Sequence, residues 1–223
     1  MKRNTLVCKK NSCWGDHMLK KVEFEAKTLK EAEKKAVELL KIQLDKIELK
    51  VTKEKKGLLG IGASQTYEAT PNVNLALEGK LYLENLLQTL EINSRMEVRT
   101  LNEGKEIYYS IESDENALLI GKEGRTLLAI QMMLRNYLHT FVDERIIVSL
   151  DIGRYYENRK RQLEILATKT AKEVAQTKIA VKLDPMNSFD RRIIHTKLSE
   201  WRDVTTESEG EGDQRALVIK PKN

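Results

Sequence analysis

In the segment Ile120-Gly121-Lys122-Glu123-Gly124-Arg125, two glycines stand three apart between an apolar segment and an apolar-periodic helix. Without a Cβ, glycines at this spacing let a tight turn lay its backbone against phosphates, and such turns clamp about four nucleotides of single-stranded RNA. Lys122 and Arg125 supply counter-charge, Glu123 opposes it, and Ile120 and Leu127 would line a groove for bases. Further on, Arg191 and His195 stand four residues apart, which is one helical turn and puts both on one face. The guanidinium would carry charge to a phosphate and a neutral imidazole one hydrogen bond. Two independent signals therefore point to single-stranded RNA, with single-stranded DNA as the second candidate ligand. Two blander readings stay open: the glycine turn is a structural turn on a face used for dimerisation, or Arg191 and His195 sit on an ordinary exposed helix.

Nothing else in the chain reads as chemistry. The histidines are scattered, no nucleophile signature or paired carboxylates stand out, and neither an enzyme nor a cofactor is expected. Cys8, Cys13 and His17 offer three metal ligands where a structural zinc site needs four, so no metal is expected and a reduced thiol pair is the simpler reading. Residues 1–17 show no periodicity and are expected to be a disordered leader. Their apolar run is broken by Lys9 and Lys10, which excludes a secretory signal. No stretch approaches a membrane span, so a cytoplasmic protein without direct membrane insertion is expected. Gly57-Leu58-Leu59-Gly60-Ile61-Gly62 has the wrong glycine order for a nucleotide loop. Leu58, Leu59 and Ile61 are either part of a plain turn or a partner-docking tip.

The elements that must position these residues follow from periodicity. Val22, Phe24 and Ala26 alternate as a strand. Thr28 with Glu31 forms a capping box before a helix whose face is Leu29, Ala32, Ala36 and Leu39. Ile47 to Val51 and Gln65 to Ala69 complete a β-α-β-β unit, and Thr70-Pro71-Asn72 reads as a linker. Val73, Leu77, Tyr82, Leu86 and Leu90 then mark a helix, followed by two strands, a short helix, the glycine turn, a helix with face Leu127, Ile130, Leu134 and Leu138, and a strand from Arg145 to Ile152. The order α-β-β-α-α-β is similar to a type II KH domain. A long helix over 154–178, a strand-like stretch from Ile179, a helix capped by Ser188 and running to about Trp201, and a C-terminal hairpin close the chain. The expected class is α+β in small domains: 18–70, 71–152 and 153–223.

Formal net charge is +5, which favours a polyanionic partner only where it is clustered. Residues 71–153 carry eight basic and thirteen acidic side chains, whereas residues 154–182 carry eight basic and three acidic ones. The glycine turn thus sits in acidic surroundings. The basic helix that follows, with Arg159, Lys160 and Arg161 on its first turns, is a secondary candidate surface.

Four motifs in this order, Lys55-Lys56-Gly57-Leu58-Leu59-Gly60-Ile61-Gly62, Ile120 to Gly124, Pro185-Met186-Asn187 with Arg191 to His195, and Ser208-Glu209-Gly210 with Ile219-Lys220-Pro221, resemble the Jag family, the SpoIIIJ-associated proteins also called KhpB or EloR. The resemblance covers residues 20 to 222 and implies a Jag N-terminal domain, a type II KH domain and an Arg-x-x-x-His domain that binds single strands. It also implies a cytoplasmic RNA-binding regulator linked to cell elongation, cell shape and peptidoglycan synthesis. Implied partners are a KhpA-like small KH protein, or self-association through the KH domain, and proteins of the membrane machinery. Residues 1–17 match nothing in the family, and the linker between the first two domains is short.

Overall fold

The computed structural model describes residues 19–55 and 64–222. The leader with Cys8, Cys13 and His17, and the tip with Leu58, Leu59 and Ile61, lie outside the described residues. The chain divides into two compact units, one of Met1–Leu119 with Arg125–Gly153, the other of Ile120–Gly124 with Arg154–Asn223. The α+β class expected from the sequence is found, as three small three-stranded sheets, each with its own helices.

In the first unit, β1 (Val22–Ala26), α1 (Leu29–Leu40), β2 (Ile47–Lys55) and β3 (Ser64–Pro71) form a sheet of order β1-β3-β2, antiparallel throughout. Thr28 caps α1 by accepting from the Glu31 amide at 3.3 Å, and the Glu31 carboxylate accepts from the Lys27 amide at 3.0 Å. The buried face of α1 is Ala32, Ala36 and Leu40, while Leu29 and Leu39 point to solvent. Pro71 is no linker: it is buried, ends β3 and pairs with Ile47. Proline is tolerated there because it takes the last place in the strand, where the missing donor costs least.

The same unit continues with α2 (Leu75–Thr89), β4 (Ser94–Leu101), β5 (Glu106–Ser113), α3 (Asn116–Ile120), α4 (Arg125–Leu138) and β6 (Ile147–Ile152). This is the expected α-β-β-α-α-β order, with β4 and β5 antiparallel and β5 and β6 parallel. Ile107, Tyr109 and Ile111 of β5 and Val148, Leu150 and Ile152 of β6 alternate onto one sheet face, and all are buried. Leu127, Ile130, Leu134 and Leu138 of α4 are buried as expected. Leu127 is therefore a core residue and does not line a groove for bases. The face expected for α2 was wrong: Leu77 and Leu90 are 58% and 52% exposed, and Leu75, Ala76, Gly79, Leu83 and Leu87 are buried instead.

Lys46, just before β2, ties the first sheet to helices α2 and α4, donating to the Glu78 carboxylate at 2.6 Å and to the Tyr137 hydroxyl at 3.2 Å. Burial works against its charge, but the hydrogen bonds to Glu78 and Tyr137 together with the electrostatic attraction of both groups outweigh it and hold the ammonium above its usual range. Tyr137 stacks on Tyr82 and meets Phe141 edge-on, so the cation is seated against aromatic faces.

The second unit has α5 (Tyr155–Thr177), β7 (Val181–Lys182), α6 (Ser188–Leu198), β8 (Val204–Glu209) and β9 (Ala216–Pro221), with antiparallel sheet order β7-β9-β8. Leu163, Ala167, Ala171 and Val174 of α5, Ile194 and Leu198 of α6, and Leu217 and Ile219 of β9 make its core. The strand expected from Ile179 is only the two residues of β7. The cap of α6 is Asn187 rather than Ser188, its side chain accepting from the Asp190 amide at 2.9 Å.

Candidate nucleic-acid interface

Arg191 and His195 share a face of α6, with Ile194 and Leu198 turned into the core. The structure adds the partners that aim them. The Arg191 guanidinium donates from Nη1 to Ser208 Oγ at 2.9 Å and from Nε to the Met186 carbonyl at 3.3 Å. His195 Nδ1 shares a hydrogen bond of 2.5 Å with Thr206 Oγ1. Four residues of helix advance about 6 Å and two residues of strand nearly 7 Å, so the pair four apart on α6 matches a pair two apart on β8. The helix runs antiparallel to the strand, and the two side chains form rungs between them.

Both partners of Arg191 are neutral, so its charge is left for a ligand. Lys220 differs: it donates to Glu207 at 2.6 Å and lies 2.8 Å from Glu209, and its hydrogen bonds to these two carboxylates push its pKa up to about 12. Those glutamates alternate with Thr206 and Ser208 along β8 and so point away from α6.

The three basic residues at the start of α5 have different fates. Arg159 donates through Nε and Nη2 to one oxygen of Asp190, at 3.0 and 2.8 Å, and the Asp190 side chain is only 3% exposed. It holds α5 to the first turn of α6. Lys160 and Arg161 are exposed and pair with no carboxylate among the described residues.

Gly121, Glu123 and Gly124 all take positive φ, at 70°, 56° and 78°. The glycines relieve strain at two of the three places. Lys122 and Arg125 are exposed, but Gly124 is buried: a Cβ on it would stand 2.7 Å from Cε1 of Tyr155. Tyr155 thus occupies the space that the second glycine opens. Its hydroxyl oxygen is buried with no hydrogen-bond partner among the described residues, and burial raises its pKa. Glu123 lines a cleft with Arg159, Lys182 and Met186.

Sequence reasoning missed Thr206, Asp190 and Tyr155, and took Ser208 only as part of a family motif. Only Asp190 left a local signal, three residues after Asn187, the spacing of a capped first turn carrying an acid. Among the described residues no helix is long and apolar enough to cross a membrane.

Residues 24–66 match the Jag N-terminus family and residues 161–221 match the R3H domain. The chain is 34% identical over 203 residues to the RNA-binding protein KhpB of Clostridium symbiosum, covering 90% of this chain and 91% of the relative. It is 32% identical over 209 residues to the RNA-binding protein KhpB of Bacillus subtilis, covering 92% of this chain and 100% of that one. A third relative, the RNA-binding protein KhpB of Lactiplantibacillus plantarum, is 41% identical over 110 residues, 49% of this chain and 34% of the relative. With both terminal domains matched and relatives aligned along nearly their whole length, the chain belongs to the Jag family of KhpB proteins.

Proposed function

We propose that this chain is a cytoplasmic regulator that binds single-stranded RNA through the Arg191–His195 face of its C-terminal domain. The observation that carries the reading is the state of Arg191, held on two neutral acceptors with its charge open, beside an exposed His195. The name of the relatives, RNA-binding protein, supports it. Residues 71–152 would be a type II KH domain, to which the α-β-β-α-α-β order and the parallel β5–β6 pair are suited. The link to cell elongation, cell shape and peptidoglycan synthesis rests on the family resemblance.

A second reading is favoured by two observations. Gly124 is closed against Tyr155, and residues 71–153 are acidic, so the glycine turn is poorly suited to clamp phosphates. In that reading the KH face serves self-association or a KhpA-like small KH partner, and the chain acts as an adaptor for envelope machinery.

The test is anisotropy of a labelled single-stranded RNA with the full chain over a range of salt. Arg191→Glu should weaken binding at least tenfold on sequences of every composition. It should also flatten the slope of log affinity against log salt by about 0.7, one phosphate's share. His195→Ala should weaken binding less and leave the slope alone. Lys122→Glu should cost less than Arg191→Glu. Unchanged affinity for Arg191→Glu, with loss of self-association for Lys122→Glu, would establish the adaptor reading instead.

A further inference from the structure

Eleven aromatic rings stand among the described residues, and ten are buried or half-buried. The exception is Phe189, 55% exposed on the first turn of α6, on the helix that carries Arg191 and His195. It contributes nothing to the core of its unit. It is nevertheless held: Tyr156 meets it nearly perpendicular, at 81° with ring centroids 6.2 Å apart, and Tyr155 in turn meets Tyr156 edge-on at 5.5 Å. Two tyrosine rings in a row thus back an aromatic that faces solvent.

Its neighbours say what the exposed ring meets. Arg192 is three residues after Phe189 and three before His195, so it lies between them on the helix surface, where such spacings put Cβ atoms about 5–6 Å apart. Arg192 is exposed and pairs with no carboxylate among the described residues. Phe189, Arg192, His195 and Arg191 therefore follow one another round the outer side of α6, with the open Arg192 guanidinium next to the ring and Arg191 beyond His195. A docking patch for an apolar protein segment would not place uncompensated arginines against its one ring. A single strand needs both features, cations for its phosphates and flat apolar faces for its unstacked bases.

We propose that Phe189 is a base-stacking platform, receiving a nucleobase on its exposed side while Arg191 and Arg192 hold the flanking phosphates. The proposal rests on the single-strand reading of the Arg191–His195 face and adds the element that contacts the base. Duplexes, whose bases are already stacked, would gain nothing from the ring.

Stacking and charge are separable by salt, because stacking releases no counterions. With the full chain and a labelled single-stranded RNA, Phe189→Ala should lower affinity roughly tenfold, since stacking on one aromatic is worth about 1–3 kcal/mol per base. The salt slope should stay at the wild-type value. Phe189→Leu, which keeps apolar bulk against Tyr156, should lose nearly as much, and Phe189→Tyr should restore binding. An abasic oligonucleotide of the same length should bind wild type and Phe189→Ala alike. Arg192→Glu should weaken binding and flatten the slope. Melting curves confirm that each variant is folded. If Phe189→Ala and Phe189→Leu bind like wild type while Arg191→Glu binds weakly, the platform is wrong and the single-strand reading stands. If Arg191→Glu also binds like wild type, the reading beneath it has failed as well.

Discussion

Arg159→Ala should destabilise the C-terminal unit by about 3–5 kcal/mol, the cost of leaving one member of a buried ion pair without its partner. Asp190, 3% exposed, would keep a carboxylate in the interior without its guanidinium partner. Two hydrogen bonds are lost together, those from Nε and Nη2 to the one Asp190 oxygen. A domain of this size loses about 4–8 °C of melting temperature per kcal/mol, so the unit should melt well over 10 °C earlier in calorimetry of the full chain. Replacing both partners by apolar residues of similar size, Arg159→Met with Asp190→Leu, should restore most of that loss. A shift of about 2 °C or less for Arg159→Ala would mean that water reaches Asp190 and that the pair contributes little. RNA affinity of the folded fraction should fall too, since Arg191 starts one residue after the anchored Asp190.

Gly79→Ala should also destabilise strongly, against the ordinary preference of about 1 kcal/mol for alanine over glycine inside a helix. A Cβ on Gly79 would stand 2.0 Å from the hydroxyl oxygen and 2.7 Å from Cζ of Tyr109, a side chain with no exposed surface. Tyr109 cannot easily retreat. It sits in the center of the β4-β5-β6 sheet, and its hydroxyl donates to the carbonyls of Leu75 and Ala76 on the same helix, at 3.4 and 3.2 Å. Burial also keeps the phenol protonated far above its usual range. Overpacking of about 1–3 kcal/mol plus about 1 kcal/mol for the disturbed hydrogen bonds should give a loss near 3 kcal/mol in urea unfolding. Tyr109→Phe alone should cost about 1 kcal/mol, yet in the Gly79→Ala background it should be stabilising, because it removes the atom in closest conflict. Additive losses in the double variant would show that the clash is relieved by backbone movement.

Much of the molecule was legible in its residues. The face of α4 was read correctly because Leu127, Ile130, Leu134 and Leu138 form a single stripe at helical spacing. Spacing alone puts Arg191 and His195 on one helix face. The sheet order, in contrast, and the parallel pairing of β5 with β6 are shown only by the tertiary structure, since pairing is not a local property.

The errors have a common cause. In α2 leucines surround the helix, at 75, 77, 81, 83, 86, 87 and 90, so periodicity leaves its orientation open. The small Gly79 and Ala76 decide it, by letting the helix approach Tyr109. The run Arg159-Lys160-Arg161 reads as three equivalent cations, but only packing shows that Arg159 is spent on Asp190, 31 residues away. Phe189 reads as an ordinary apolar residue, and only the tertiary structure leaves its ring outside the core. Side-chain type and local spacing by themselves determined the helices, the strands and the candidate ligand contacts, because those depend on neighbours in the chain. Which cation stays open, which glycine is filled and which ring faces solvent were decided by contacts between distant segments, where burial and electrostatics act on partners the local sequence does not name.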